Sequence, residues 1–197
     1  MIGDIGAGSA DFEAWEIVDV HPLRVRQLHA SQTEWCGART INVEFRRRFL
    51  QSISDRKEAV LSSLRTVDTT MDWQTLGERL EASFEGAKKD FRAEGDDSYI
   101  LRIPGLPNMP EKSMPRGGRI EVDADLMRES HQPQLNTIIQ VIRDTLRAIE
   151  RRRSHGLVES CPDELLMAGG GGNNNYICRK IRETLEPDGI SVSLPTA

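Results

Sequence analysis

Three short stretches of the chain carry residue types suited to holding a nucleotide. The first is Asp4-Ile5-Gly6-Ala7-Gly8-Ser9-Ala10-Asp11. The small residues Gly6, Ala7 and Gly8 let backbone N–H groups come close to an anion, and a tight turn can aim several of them at one phosphate. Ser9 adds a hydroxyl donor. Asp4 and Asp11 bracket the turn with carboxylate oxygens, the ligand type magnesium prefers while it keeps most of its own water. The same string also suits an ordinary glycine-containing hairpin.

The second stretch is Gly169-Gly170-Gly171-Gly172, between an apolar run and a helical pattern. Glycines there let a flat or charged ligand approach the backbone, and the start of a helix favours anions. The string is neither a G-x-x-x-x-G-K-[ST] loop nor a clean G-x-G-x-x-G fingerprint, and a flexible strand-to-helix connection has the same composition. The third is Glu85 with Lys88 and Lys89, on one helix face beside its apolar stripe. These residues form either a polar wall against a base and ribose or a surface ion pair worth roughly 0.3–0.5 kcal/mol.

Positioning these groups requires strands at both ends of the chain and helices between them. Met1–Asp4 is apolar, Phe12–Val20 alternates, and Leu23–Val25 with Leu28 alternates again after His21-Pro22. Period-two runs separated by turn residues predict an antiparallel meander. Ile41, Phe45, Phe49 and Ile53 then recur at helical spacing. A longer helix starts at Asp72, which can cap it, and carries Trp73, Leu76, Leu80, Phe84, Ala87 and Phe91 on one stripe, with a stop near Glu94-Gly95.

Tyr99–Ile103 and Arg119–Val122 read as short strands around a proline- and glycine-rich hairpin loop, which the composition predicts to be mobile. A third helix is expected from about Pro133, ending in the basic run Arg151-Arg152-Arg153. Glu164–Ala168 predicts a buried strand, Asn173-Asn174-Asn175 can cap a helix carrying Tyr176, Ile177, Ile181 and Leu185, and Ile190–Leu194 predicts a last strand. Strand, glycine segment, helix and strand make a β-α-β unit, so the expected class is α/β. The expected organisation is an α/β layer from residues 1–54 and 154–197. Residues 55–153 form a mostly helical insert with a strand hairpin and a return helix.

The chain has 197 residues, 38% hydrophobic and 29% charged, with a net charge of -5, so it can bury a core and does not resemble a basic nucleic-acid binder. Cys36, Cys161 and Cys178 form no C-x-x-C pair, and the four histidines have no metal-ligand spacing. An odd cysteine count without a leader fits a reducing compartment, so a cytoplasmic location is expected. No apolar run reaches the roughly 20 residues of a membrane helix. Neither nucleic acid nor membrane is therefore an expected partner.

The three stretches occur in the order used by the C-terminal lobe of the ATPase domain of the seventy-kilodalton heat-shock chaperones, and the chain resembles the divergent, fungal-type members of that superfamily. D-I-G-A-G-S-A-D at 4–11 is similar to the family's second phosphate loop, D-x-G-G-G-T-x-D. Cys36-Gly37-Ala38-Arg39-Thr40-Ile41-Asn42-Val43-Glu44-Phe45 resembles its C-G-S-x-x-x-N-x-x-F segment, and Phe84-Glu85-Gly86-Ala87-Lys88-Lys89 its W-x-x-x-x-E-x-x-K-type helix. Leu166 to Ile177 is similar to its adenosine loop, L-V-G-G-F-G-x-x-x-Y-L. Ala7 stands in place of the loop's central glycine, and Ser9 in place of threonine.

The resemblance implies half of an actin-like, ribonuclease-H-like ATPase domain that binds ATP or ADP with Mg2+ held through water. It assigns phosphate to Gly6, Ala7, Gly8 and Ser9. Adenosine falls to Glu85, Lys88, Lys89, Gly169, Gly170 and Gly171, and the metal to Asp4 and Asp11. No residue receives a catalytic role, because the family's N-terminal lobe and closing helix have no counterpart in the sequence. The expected function is thus the ATP-binding lobe of a chaperone-like ATPase, inactive alone, with client or co-chaperone proteins as partners. The alternative is a non-catalytic interaction module or a degenerate remnant of the fold.

Overall fold

The computed structural model describes residues 1–93, 98–108 and 117–195. In chain order the elements are β1 (Ile2–Ile5), β2 (Ala10–Val20), β3 (Leu23–Glu34), α1 (Arg39–Ser52), α2 (Lys57–Arg65), α3 (Trp73–Asp90), β4 (Tyr99–Arg102), β5 (Arg119–Val122), α4 (Ala124–Ser154), β6 (Glu164–Ala168), α5 (Gly169–Gly172), α6 (Asn175–Leu185) and β7 (Ser191–Ser193). Two compact units result, one of residues 1–40 and 134–197 and one of residues 41–133. The boundaries between these units fall inside α1 and α4.

The first unit is built on a mixed five-stranded sheet in the order β3-β2-β1-β6-β7. The β1–β2 and β2–β3 pairs are antiparallel, as the alternation at Phe12–Leu28 predicts, while β1–β6 and β6–β7 are parallel. Alternation decides which side chains enter the core. Ile5, Ala10, Phe12 and Ala14 are buried, while Asp4, Asp11 and Glu13 occupy the other face of the same strands. Ala14 and Leu28 pack in one cluster with Ile149 and Val158. The second β-α-β half forms as expected. Asn174 caps α6 by accepting from Ile177 N at 3.0 Å, Tyr176, Ile177, Ile181 and Leu185 are buried, and Gly189 turns the chain with φ +80. Gly169–Gly172 is one helical turn rather than a loop.

In the second unit, Phe45 stacks on Phe84 with centroids 4.0 Å apart and planes 5° from parallel, joining the apolar stripes of α1 and α3. Asp72 caps α3 by accepting from Thr75 N at 2.7 Å. The helix ends at Asp90, and the stop expected near Glu94-Gly95 lies outside the described residues. β4 and β5 pair antiparallel as expected, and residues 109–116 of the hairpin loop also lie outside the described residues. Residues 57–65 form α2, which buries Val60, Leu61 and Leu64 and which the periodicities above do not single out.

α4 starts at Ala124, not near Pro133, and carries Pro133 within it. Its start is set by Asp123, whose carboxylate accepts from Leu126 N at 2.9 Å, and by burial of Met127, Ser130 and His131 in the first turns. Packing and capping there outweigh the amide hydrogen bond that proline cannot make.

Candidate functional site

The stretch from Gly6 to Ser9 closes on itself through Gly6 N–H donating to Ser9 O at 2.9 Å. Its carbonyls then turn toward the start of α1. Gly37 N–H donates to Gly8 O (3.0 Å), Ala38 N–H to Gly6 O (2.9 Å) and Arg39 N–H to Ala7 O (2.8 Å). Three consecutive carbonyls are thereby satisfied by three consecutive amides. The amides of Ala7, Gly8 and Ser9 carry no hydrogen bond among the described residues, and Ala7 and Gly8 are exposed. A turn with its carbonyls tied back leaves its amides available to an acceptor. The clamp is itself anchored, since the side chain of Gln134, 2% exposed, donates to Cys36 O at 2.8 Å. Burial, with Glu34 and Asp11 nearby, pushes the Cys36 thiol up to about 11, so Cys36 is an inert core group.

The glycines around this turn divide into two kinds. At Gly37 a Cβ would sit 2.5 Å from backbone atoms of Ala7 and Gly8, so the clamp requires glycine there. Gly169, with φ +76, would drive a Cβ into Asp4 Oδ1 and to 2.5 Å from Ile5 O, and one at Gly171 would lie 2.5 Å from Ile5 Cγ2. These contacts seat the second glycine segment directly against the end of β1, so the structure brings the two glycine stretches together. Gly8 and Gly170 differ, because a Cβ at either would meet nothing within 4 Å and neither has a positive φ. Neither packing nor backbone conformation demands glycine at these two positions.

A row of side-chain positions crosses the sheet beside the turn: Ala168 on β6 is opposite Asp4 on β1, Asp4 opposite Asp11 on β2, and Asp11 opposite Thr33 on β3. Asp4 and Asp11 thus face each other across the ladder at the carboxyl end of β1. Ser9 Oγ donates to Asp11 Oδ2 at 3.3 Å, and Thr33 Oγ1 donates to Asp11 Oδ1 at 2.5 Å. The Ser9 hydroxyl, expected as a phosphate donor, is therefore directed at Asp11, because the turn places the two side chains within reach.

Glu85, Lys88 and Lys89 form their own cluster in the second unit. Glu85 Oε2 accepts from Asn42 Nδ2 at 2.8 Å and from Lys88 Nζ at 2.7 Å, and Lys89 Nζ lies 3.5 Å from Glu85 Oε1. Lys88 is only 4% exposed, which corrects the expectation that all three side chains stand beside the apolar stripe. Its aliphatic stem is buried with Phe84 and Ala87 on α3 while its ammonium meets Glu85. Partial burial opposes the Glu85 charge, yet the Asn42 and Lys88 hydrogen bonds and both lysine charges hold its carboxyl below the ordinary value. Lys89, with a side chain 70% exposed, is the accessible member.

Among the described residues no cluster of three or more His, Cys, Asp or Glu side chains could hold a metal ion by itself. No helix among them is long and apolar enough to cross a membrane. Sequence reasoning singled out neither Thr33 nor Gln134. Both act through cross-strand register or a contact across 98 residues, which local pattern does not carry. No protein-family model matches the chain, and no curated protein matches it significantly.

Proposed function

We propose that this chain is the nucleotide-binding lobe of a chaperone-like, actin-type ATPase, taking the phosphates of ATP or ADP on the Gly6–Ser9 turn and turning ATP over negligibly by itself. The observation that carries this reading is the amide trio of Ala7, Gly8 and Ser9, without a hydrogen bond among the described residues in a turn held by the Gly37–Arg39 clamp. The position supports it too. Both glycine stretches lie at the carboxyl ends of the adjacent parallel strands β1 and β6, where open α/β sheets bind ligands.

Magnesium fits the donor set, since two opposed carboxylates supply hard oxygens but too few for an all-protein cage. Asp4 and Asp11 would hold the ion through its waters, and bound there it would neutralise phosphate charge. Negligible turnover follows from where the donors are. They come from one end of the strands of one sheet, which leaves the terminal phosphate open to water, and each missing preorganised donor costs on the order of a hundredfold in rate.

A second reading, an interaction module that binds client or co-chaperone proteins without nucleotide, draws on the β2–β3 ribbon. Its pairs Ile17–Val25 and Val20–Leu23 are exposed. Gly170→Leu separates the two readings. A side chain there would project into open space, so folding stability should stay within about 0.5 kcal/mol of the parent. ADP affinity, followed by tryptophan fluorescence, should fall tenfold or more, about 1.4 kcal/mol. Unchanged ADP affinity in a folded Gly170→Leu protein would favour the interaction module.

A further inference from the structure

We infer that the groove at the amino ends of β1 and β6 is a binding site for a small apolar organic amine. The groove holds about 780 Å³, within the range of clefts that take small molecules. Five stretches of the first unit converge on it: β1, β2, β3, residues 160–163 and β6. Its lining is mostly apolar. Ile2 stands opposite Leu166 across β1 and β6, Ile17 opposite Val25 across β2 and β3, and Trp15 and Leu23 lie beside them. Register shifts around Ala14 and between Ile17 and Asp19 bend the β2–β3 ribbon, and its outer half walls the groove. Packing within the unit does not account for these side chains, since Ile17 is 64% exposed and Leu23 67%. Single exposed apolar residues are ordinary, whereas a contiguous set around a concavity marks a binding surface.

Charge selects the ligand. Among the described residues the charged side chains that line the groove are Glu16, Asp163 and Glu164, all carboxylates. Glu13 and Glu159 stand beside them. Glu13 is opposite Ile2 and accepts from the Trp15 indole at 3.0 Å, and Glu159 lies 3.8 Å from Arg26. Two cations face these five carboxylates. Arg26 donates to Glu16 at 2.8 Å, and the Met1 ammonium donates to Glu164 O at 2.6 Å. Five negative charges less two positive leave an excess of three, which attracts a cation. A second copy of this chain would bring the same carboxylates face to face, at a net charge of -5 on each protein. The Gly6–Ser9 turn lies at the carboxyl ends of the same strands. The inference therefore does not rest on the nucleotide reading, and the failure of either would leave the other standing.

The test follows backbone amide resonances of the full chain during titration with hexylamine, hexanol and hexanoate, which share one apolar chain and differ in charge. Hexylamine is expected to shift the amides of Trp15, Ile17, Val25, Ser160, Cys161 and Asp163 saturably. It should bind about tenfold more tightly than hexanoate, the swing from attraction to repulsion beside partly exposed carboxylates, with hexanol between them. Asp163→Asn combined with Glu164→Gln should bring hexylamine and hexanoate to within about threefold of each other. Ile17→Ser removes an exposed side chain on which folding does not depend. It should weaken all three probes by about fivefold through lost apolar contact, and Val25→Ser should do the same at a second position.

Absence of saturable shifts with hexylamine, or equal affinity for hexylamine and hexanoate, would overturn the inference. So would an amine preference unchanged by Asp163→Asn with Glu164→Gln, or shifts that Ile17→Ser and Val25→Ser leave at parent strength. Shifts of the same amides with protein concentration alone would assign the groove to a second copy of the chain. Shifts from an amphipathic Leu–Lys peptide with none from hexylamine would assign it to a protein segment. Either of these results equally refutes a small-molecule site.

Discussion

Asp4→Ala is expected to abolish the magnesium dependence of nucleotide binding while leaving the protein as stable as the parent, or slightly more so. Asp4 lies on the exposed face of β1, directly across from Asp11 and against Gly169. Removing one of two opposed carboxylates relieves a cross-strand repulsion of roughly 0.2–1 kcal/mol, so stability should not fall. On the proposed reading the cation would lose one of its two carboxylate anchors, so the ratio of ADP affinities with and without Mg2+ should drop by tenfold or more, on the scale of about 1.4 kcal/mol per decade. Calorimetry gives that ratio, and thermal unfolding checks stability. Retention of the full magnesium effect in Asp4→Ala would remove Asp4 from the site.

The second large effect concerns acid. His131 is completely buried in α4, its Nδ1 is 2.7 Å from Met127 O, and its ring lies 5.2 Å from that of Phe91. Burial, with the Lys88 ammonium nearby, lowers its pKa to about 4, against the contrary pull of the Met127 carbonyl. The folded protein therefore holds His131 neutral, whereas the unfolded chain protonates it near 6.5. Stability from this group is complete above about pH 6.5. It is lost as pH falls from there toward 4, because the unfolded state binds the proton first. The loss over that window should be about 3 kcal/mol, a large share of a typical domain's stability. Urea denaturation at pH 7 and pH 4.5 measures it, and His131→Gln should show a smaller difference between the two. An equal pH dependence in both proteins would mean that other groups dominate acid unfolding.

The strand meander, the Asp72-capped helix and the closing β-α-β unit were legible because each rests on local periodicity and on a capping residue beside it. Phe12, Ala14 and Leu28 alternate inward as their spacing predicts, and the glycine stretches met at the carboxyl ends of β1 and β6 because these strands pair in parallel. What local pattern missed was set by long-range packing. α4 begins nine residues before Pro133 because burial of Met127 and His131 supports its first turns. Residues 31–34 belong to β3 although polar, since pairing with β2 rather than alternation holds them. Lys88 gave no sign of burial, because a lysine beside an apolar stripe looks the same whether its stem is solvated or packed. The clamp on the glycine turn was hidden in Gly37, whose need for glycine appears only once Ala7 and Gly8 lie against it.

The most direct test of the central claim is a calorimetric titration of the purified chain with ADP, in the presence and absence of Mg2+. The proposed reading, in which three amides would meet the phosphates from one side and leave them open to water, predicts saturable binding near the millimolar range, roughly -4 kcal/mol, strengthened by Mg2+. Heats indistinguishable from dilution under both conditions, at ADP concentrations well above millimolar, would contradict it.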